Sequence, residues 1–319
     1  MTTRRAPGAA HSATRGRWRL PVLALLVALV AWVGMLVALY PTVAAWFSQY
    51  NQSKVVDTYS SEVTSSSLSP SVTEQLAEAR TYNAALSSGA QLEANHRLPT
   101  GEGTSTNSSL DYNSLLKVDA TGVMGRVKIP SIGVDLPIYH GTSDETLLKG
   151  VGHLEGTSLP VGGTGTHAVL TGHRGLASAT MFTNLDKVGV GDTFTIEVLD
   201  QVLTYRVITT KVVDPSDTAS LLPVDGKDLV TLVTCTPLGI NSQRILVTGE
   251  RVTPTPTKDV QAAGKTPDIP GFPWWILVLT GGTVVAVGYV WRSGYPTRKR
   301  VAKASPTGDH GTWGGTPAQ

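Results

Sequence analysis

The chain has 319 residues, with 26 Lys and Arg against 24 Asp and Glu, 41% hydrophobic residues and only 16% charged ones. A soluble domain carries about 25% charged residues, so part of this chain is expected not to face water. The first 19 residues carry +5 and residues 292–319 carry +4, which leaves −7 on everything between them. An acidic body between two basic tails excludes a nucleic-acid binder, whose basic footprint would lie on the folded domain. A single cysteine, Cys235, excludes an internal disulfide framework and any thiolate-rich zinc or iron–sulfur site.

Behind the basic tail of residues 1–19, residues 20–40 form an uncharged, mainly apolar stretch. At 1.5 Å per helical residue it covers about 30 Å of hydrocarbon. A cleaved signal peptide has a shorter apolar region, about 7–15 residues, followed by a small-residue cleavage site; no such site stands out, so an uncleaved transmembrane anchor is the preferred reading. Residues 272–291 are a second uncharged stretch, with Trp274 and Trp275 at one end and Tyr289 and Trp291 at the other, where an aromatic belt sits. The basic tail 292–319 follows. Both basic flanks are expected to stay in the cytoplasm, so the chain is read as a cell-membrane protein with two spans, both termini inside and residues 41–271 outside. The lipid bilayer is thus an expected partner, and nucleic acid is not.

Within the outer part, residues 41–95 are rich in Ser, Ala, Gln and Glu, and Ser71-Val72-Thr73-Glu74 fits a capping box, with Leu76, Ala79 and Leu86 following at helical spacing. This predicts a helical juxtamembrane segment, either a stalk or a helix packed on the main domain. Residues 96–119, from His96-Arg97-Leu98-Pro99 onward, are a Gly/Ser/Thr-rich connection expected to be a long loop. From Val123 the period changes to two: Val127 and Ile129 alternate with Arg126 and Lys128, and Phe194, Ile196 and Val198 alternate with Thr193, Thr195 and Glu197. Tyr205 and Val207 continue after a turn near Asp200-Gln201. Asp228–Thr234 and Arg244–Val252 predict two more strands around a Pro/Gly loop. Residues 120–252 are therefore read as one all-β barrel or sandwich, and residues 253–271 as a Pro-containing linker to the second span.

G-x-S-x-G, P-loop, G-x-G-x-x-G and H-E-x-x-H signatures are all absent. What remains is Cys235, at the point where the β-branched run Leu229–Thr234 meets Thr236-Pro237-Leu238-Gly239. A strand end holds a side chain rigidly beside an open loop, which suits a nucleophile; a small buried hydrophobe is the equally open alternative. A cysteine nucleophile needs a base or cation because its thiolate is the reactive form. Five histidines, His96, His140, His153, His167 and His173, lie in the outer segment. His173 is the best placed, since Thr171-Gly172-His173-Arg174-Gly175 follows the apolar run Ala168–Leu170. His167 reads as structural, and His140 and His153 as loop or turn residues. For a donor to a developing oxyanion, Arg244 is the candidate because a hairpin returns it toward the thiol. Arg174 competes but is expected to point away from its neighbour His173.

These residues resemble a known family. Thr231-Leu232-Val233-Thr234-Cys235 resembles the T-L-x-T-C signature of sortases, the membrane-bound cysteine transpeptidases of Gram-positive bacteria. Thr171-Gly172-His173 is similar to the family's histidine motif, and Asn241-Ser242-Gln243-Arg244-Ile245-Leu246-Val247 to its arginine strand. Two spans, Leu136–Thr142 and Gly152–Pro160 resemble class C, the pilin-polymerising sortases. The resemblance implies an eight-stranded sortase β-barrel with N-terminal helices and a lid-like loop at 96–119. That lid usually carries an Asp-Pro-aromatic anchor, which residues 41–119 lack. It further implies Cys235 as nucleophile, His173 as general acid/base and Arg244 as oxyanion and substrate stabiliser, with no cofactor or metal. Implied partners are pilin subunits or other surface proteins bearing a Leu-Pro-x-Thr-Gly-type signal, and a lysine amine as acceptor. A housekeeping sortase serving a peptidoglycan precursor and a non-catalytic adhesin or pilus scaffold are the alternatives.

Overall fold

The computed structural model describes residues 17–65, 70–87, 90–92, 99–101, 104–105, 111–118, 121–267 and 269–295. Eight strands form the barrel: β1 (Val123–Ile129), β2 (Val134–His140), β3 (Val151–His153), β4 (Thr166–Thr171), β5 (Thr193–Val198), β6 (Gln201–Val213), β7 (Asp228–Thr236) and β8 (Gln243–Arg251), of which β2 and β3 are not expected from the sequence pattern. They close into a barrel in the order β6-β8-β7-β4-β3-β2-β1-β5. Closure removes both sheet edges and leaves no ladder exposed. The pairs β2–β3 and β4–β7 are parallel and the others antiparallel.

Alternation along the strands sends Leu170, Leu232 and Val247 into the main core with Val127, Ile129 and Ile196. Their neighbours Val169, Val233 and Leu246 point the other way, into a second apolar cluster with Leu154 and Leu221. Both faces of β4, β7 and β8 are thus covered, which is why Leu229–Thr234 reads as a continuous apolar run and not as an alternation.

Helix α1 (Val22–Thr64) is far longer than the stretch 20–40. Its C-terminal part lies on the barrel: Tyr59 clusters with Val123 and Tyr139, and the Tyr59 hydroxyl donates to Met124 O at 3.2 Å and accepts from Leu199 N at 2.7 Å. Helix α2 (Val72–Ala85) starts at the expected capping box, with Ser71 Oγ accepting from Glu74 N at 3.3 Å and Glu74 Oε2 from Ser71 N at 2.8 Å. It buries Leu76, Ala79 and Tyr82, so it is a packed helix and not a free stalk. Two short antiparallel ribbons follow, pairing Leu86–Ser87 with Thr104–Ser105 and Ala90–Leu92 with Pro99–Gly101. His96, Arg97 and Leu98 lie outside the described residues. Tyr112, Leu115 and Leu116, from the end of the segment expected to be a loop, are buried in the main core. A short helix α3 (Asp144–Lys149) lies between β2 and β3.

The alternation in β1 suggests that Arg126 faces water, whereas it is fully buried. Its guanidinium makes a bidentate pair with Asp135 at 2.6 Å, reaches Glu197 at 3.4 Å and donates to Lys265 O at 2.8 Å. Burial opposes its charge, but the two carboxylates more than offset this and hold its pKa above the usual arginine value. The cover comes from the segment after β8, read from sequence as a linker. It contains helix α4 (Thr257–Ala262) and bonds back to the barrel through Thr204 Oγ1 to Asp259 Oδ2 at 2.8 Å and Gly264 N to Glu197 Oε2 at 3.2 Å.

The chain divides into two compact units, one of Met1–Val37 with Val278–Gln319 and the other Ala38–Leu277. In the first unit, part of α1 meets part of helix α5 (Trp275–Ser293). Gly282 lets Met35 approach, and Trp32 Nε1 donates to Thr283 Oγ1 at 3.0 Å. Both helices are long and apolar enough to cross a membrane.

Candidate active site

Parallel pairing of β4 with β7 sets Thr171 opposite Val233. The pairing carries on past the strand end, since Gly172 N donates to Val233 O at 3.0 Å and Thr234 Oγ1 donates to Gly172 O at 2.7 Å. The next residue on one side is His173 and on the other Cys235, and both line one cavity of about 170 Å³, whose wall also includes Arg174, Leu176, Gly239 and Asn241. Cys235 and His173 are each only 6% exposed, so the cavity is a narrow opening onto two nearly buried groups.

Arg244 is the cross-strand partner of Cys235 in the β7–β8 hairpin. Directly opposed residues send their side chains to the same face, with Cβ atoms about 5 Å apart. The guanidinium is buried, and its Nη1 donates to Asn241 O at 2.8 Å and Gln243 O at 3.0 Å. The hairpin loop that presents those carbonyls turns through two left-handed positions, Gly239 (φ +81°) and Asn241 (φ +58°), and closes with Asn241 N donating to Pro237 O at 2.9 Å. Glycine and asparagine are the residues that adopt this backbone at least cost.

Of the other histidines of the outer segment, His140, His153 and His167 lie elsewhere in the fold. His96 is outside the described residues. His140 Nε2 donates to Leu115 O at 2.7 Å, and burial lowers its pKa. His167 bridges Leu222 O, at 2.9 Å from Nδ1, and the Thr231 hydroxyl, at 2.7 Å from Nε2, and burial again lowers its pKa. His153 is enclosed: Nε2 donates to Ser158 O at 2.8 Å and Nδ1 accepts from the Tyr112 hydroxyl at 2.9 Å. Burial brings its pKa down to about 4. In all three, burial disfavours the charged form, and each is hydrogen-bonded to the fold.

Arg174 departs from the sequence expectation that it points away. It lines the same cavity, donates to Thr236 Oγ1 at 2.9 Å and to Thr183 O at 3.1 Å, and pairs with Asp186 at 2.9 Å. It therefore ties the loop after His173 to the strand end that holds Cys235. Sequence reading also missed Asn241, whose Oδ1 is buried in this wall with no hydrogen-bond partner among the described residues; its place in a left-handed turn directly before Arg244's strand was the available signal.

A thiol, an imidazole and a guanidinium at one end of a closed barrel form the constellation of a cysteine acyl-transfer enzyme. Residues 127–252 match the Sortase domain family model. Sortase D of Bacillus subtilis is 31% identical over 158 residues, which span 48% of this chain and 77% of that protein. The crystal structure of sortase C-1 from Actinomyces oris is 51% identical, covering 56% of this chain and 97% of that one with a TM-score of 0.51. That of a Streptococcus pneumoniae sortase C, presented as informative on pilin substrate specificity, is 39% identical, covering 64% and 98% with a TM-score of 0.55. The chain belongs to the sortase family of cysteine transpeptidases.

Proposed function

We propose that the chain is a class C sortase that joins pilin subunits. Cys235, as the thiolate whose proton His173 has taken, adds to the Thr carbonyl of a Leu-Pro-x-Thr-Gly-type signal to form the C–S bond of a tetrahedral intermediate, and the Thr–Gly C–N bond breaks as that intermediate collapses to the thioester. Arg244 donates to the oxyanion of the tetrahedral intermediate, as a preformed guanidinium whose orientation is already held by the hairpin loop. His173 gives its proton to the departing glycine amine and takes one from the incoming lysine amine, so one group serves both half-reactions. The lysine nitrogen then displaces Cys235 and an isopeptide bond is left between subunits. None of these steps calls for a metal or organic cofactor.

The observation that carries this reading is that Cys235 and His173 line one cavity while Arg244 faces Cys235 across the hairpin. The pilin assignment rests on the sortase C character of the solved relatives. We further infer a two-span membrane protein with both termini cytoplasmic and the barrel of residues 120–252 outside; of the segment 96–119 read as a lid, Tyr112, Leu115 and Leu116 are packed into the core, which leaves the lid role to the part before Tyr112. The test is mass spectrometry of the full chain in detergent after incubation with a Leu-Pro-x-Thr-Gly peptide, then with a lysine-bearing pilin fragment. An acyl adduct on Cys235 that moves to the lysine is expected. Transfer only to a peptidoglycan-type amine would make it a housekeeping enzyme, and no adduct on an alkylatable Cys235 would defeat the proposal.

A further inference from the structure

We infer that Gln52, on α1 and far in sequence from every motif of the site, is a positioning residue for the loop that carries His173. The inference rests on the reading of His173 as the acid–base group.

Past Thr171 the chain leaves the sheet, and besides the ties of Gly172 and Arg174 the loop is held by a turn at Met181-Phe182. Phe182 N donates to His173 O at 3.0 Å. The Phe182 ring lies against Gly172, so closely that a Cβ there would stand 2.7 Å from the ring. A shift of this turn would therefore be passed to the backbone that carries the imidazole. Yet the turn is not a relaxed one: Met181 has φ +40°, a left-handed backbone for a long side chain, and such a conformation persists only where its surroundings over-determine it.

The surroundings come from α1. The Gln52 side-chain amide donates one N–H to Met181 Sδ at 3.3 Å and the other to Lys149 O, at the end of α3, also at 3.3 Å. One turn earlier, Gln49 Nε2 donates to Thr180 Oγ1 at 3.3 Å. Gln52 and Met181 are both buried. Gln52 begins a stripe that continues through Val56, Tyr59 and Val63, and Val56 and Tyr59 are themselves buried. With Tyr59 bonded to both β1 and the end of β5, this part of α1 is fixed to the barrel and offers the loop a rigid reference. A glutamine where leucine or methionine would fill the same space needs polar partners to offset its burial, and the partners it has are the loop and α3.

The test uses the full chain in detergent. Gln52→Met keeps the length of the side chain and removes both donors. Its kcat for transfer from the sorting peptide is expected to fall roughly ten-fold with KM unchanged, because the loop misplaces the imidazole without altering the peptide's binding surface. In histidine labelled with ¹³C, the His173 ring signal, assigned with His173→Gln, is expected to shift and broaden, and its titration midpoint to move. Val56→Ala, on the same stripe, is expected to lower the thermal midpoint while leaving kcat and the His173 signal as in the wild type. Wild-type kcat and an unmoved His173 signal in Gln52→Met, or equal changes in Val56→Ala, would overturn the inference. The spectroscopic arm needs no reaction, so a moved His173 signal in a chain with no transfer activity would support the positioning role and defeat only the proposed function.

Discussion

Cys235 and Arg244 are directly opposed residues of one antiparallel hairpin, and Arg244 is wholly buried with its guanidinium turned onto the carbonyls of Asn241 and Gln243. A cation in this position is oriented before any substrate arrives, which is what an oxyanion donor requires.

Arg244→Lys retains the charge but loses the planar fork that satisfies two carbonyls while leaving donors for a third group. The expected loss in kcat for peptide transfer is about 10²–10³-fold, the cost of one oxyanion donor. Steady-state transfer kinetics alongside a thermal melt check it. A folded variant with wild-type kcat would remove Arg244 from the reaction.

Gly172→Ala places a methyl group against the Phe182 ring at 2.7 Å, with Phe182 also bonded to His173 O. The ring has to move and take the His173 loop with it. We expect activity to fall at least ten-fold, while the shift in thermal midpoint stays within what an overpacked site costs, about 1–3 kcal/mol. The ratio of the two effects, from kinetics and melting of the same preparation, is the readout, and a drop in stability without loss of kcat would contradict it.

His153 binds its proton with a pKa near 4 in the folded chain because burial disfavours the imidazolium, against an ordinary value of 6.5. Between those values the unfolded chain holds a proton that the native one lacks. Its contribution is therefore fully present above about pH 6.5 and is lost as the pH falls through 4. The amount is on the order of 3 kcal/mol, and the buried His140 and His167 shift in the same direction. Melting temperature against pH should fall on acidification for the wild type and fall less steeply for His153→Gln; parallel curves would be evidence against it.

The two-span topology predicts which positions a membrane-impermeant maleimide reaches on intact cells. In a Cys235→Ala background, Ser61→Cys should label at once. Thr3→Cys and Ser305→Cys should label only after permeabilisation. Labelling of either terminus from outside would reverse the topology.

Strands β1, β5, β6, β7 and β8, the start of α2 and the two stretches apolar enough to span a bilayer are legible in the sequence, because each is a local matter of period, capping and hydropathy; β2 and β3, interrupted by Pro137 and Gly152, are not. The sequence also offered Cys235, at the end of a β-branched run, Arg244, on the strand that a hairpin returns, and His173, after the apolar run Ala168–Leu170, the last chosen over the other histidines by the resemblance to the sortase motif. Their convergence was not local. It comes from the parallel β4–β7 pairing and the β7–β8 hairpin, which set His173 and Arg244 on either side of Cys235. The burial of Arg126, whose place in the alternation suggests solvent, is not local either: the segment after β8 covers that face and carries the carbonyl it needs. The same is true of Arg174, drawn to Thr236, and of Gln52, whose partners Lys149 and Met181 are about 100 residues or more away along the chain. A polar side chain declares its role through what it bonds, and for these residues the partner is supplied by the closing of the barrel and the docking of α1.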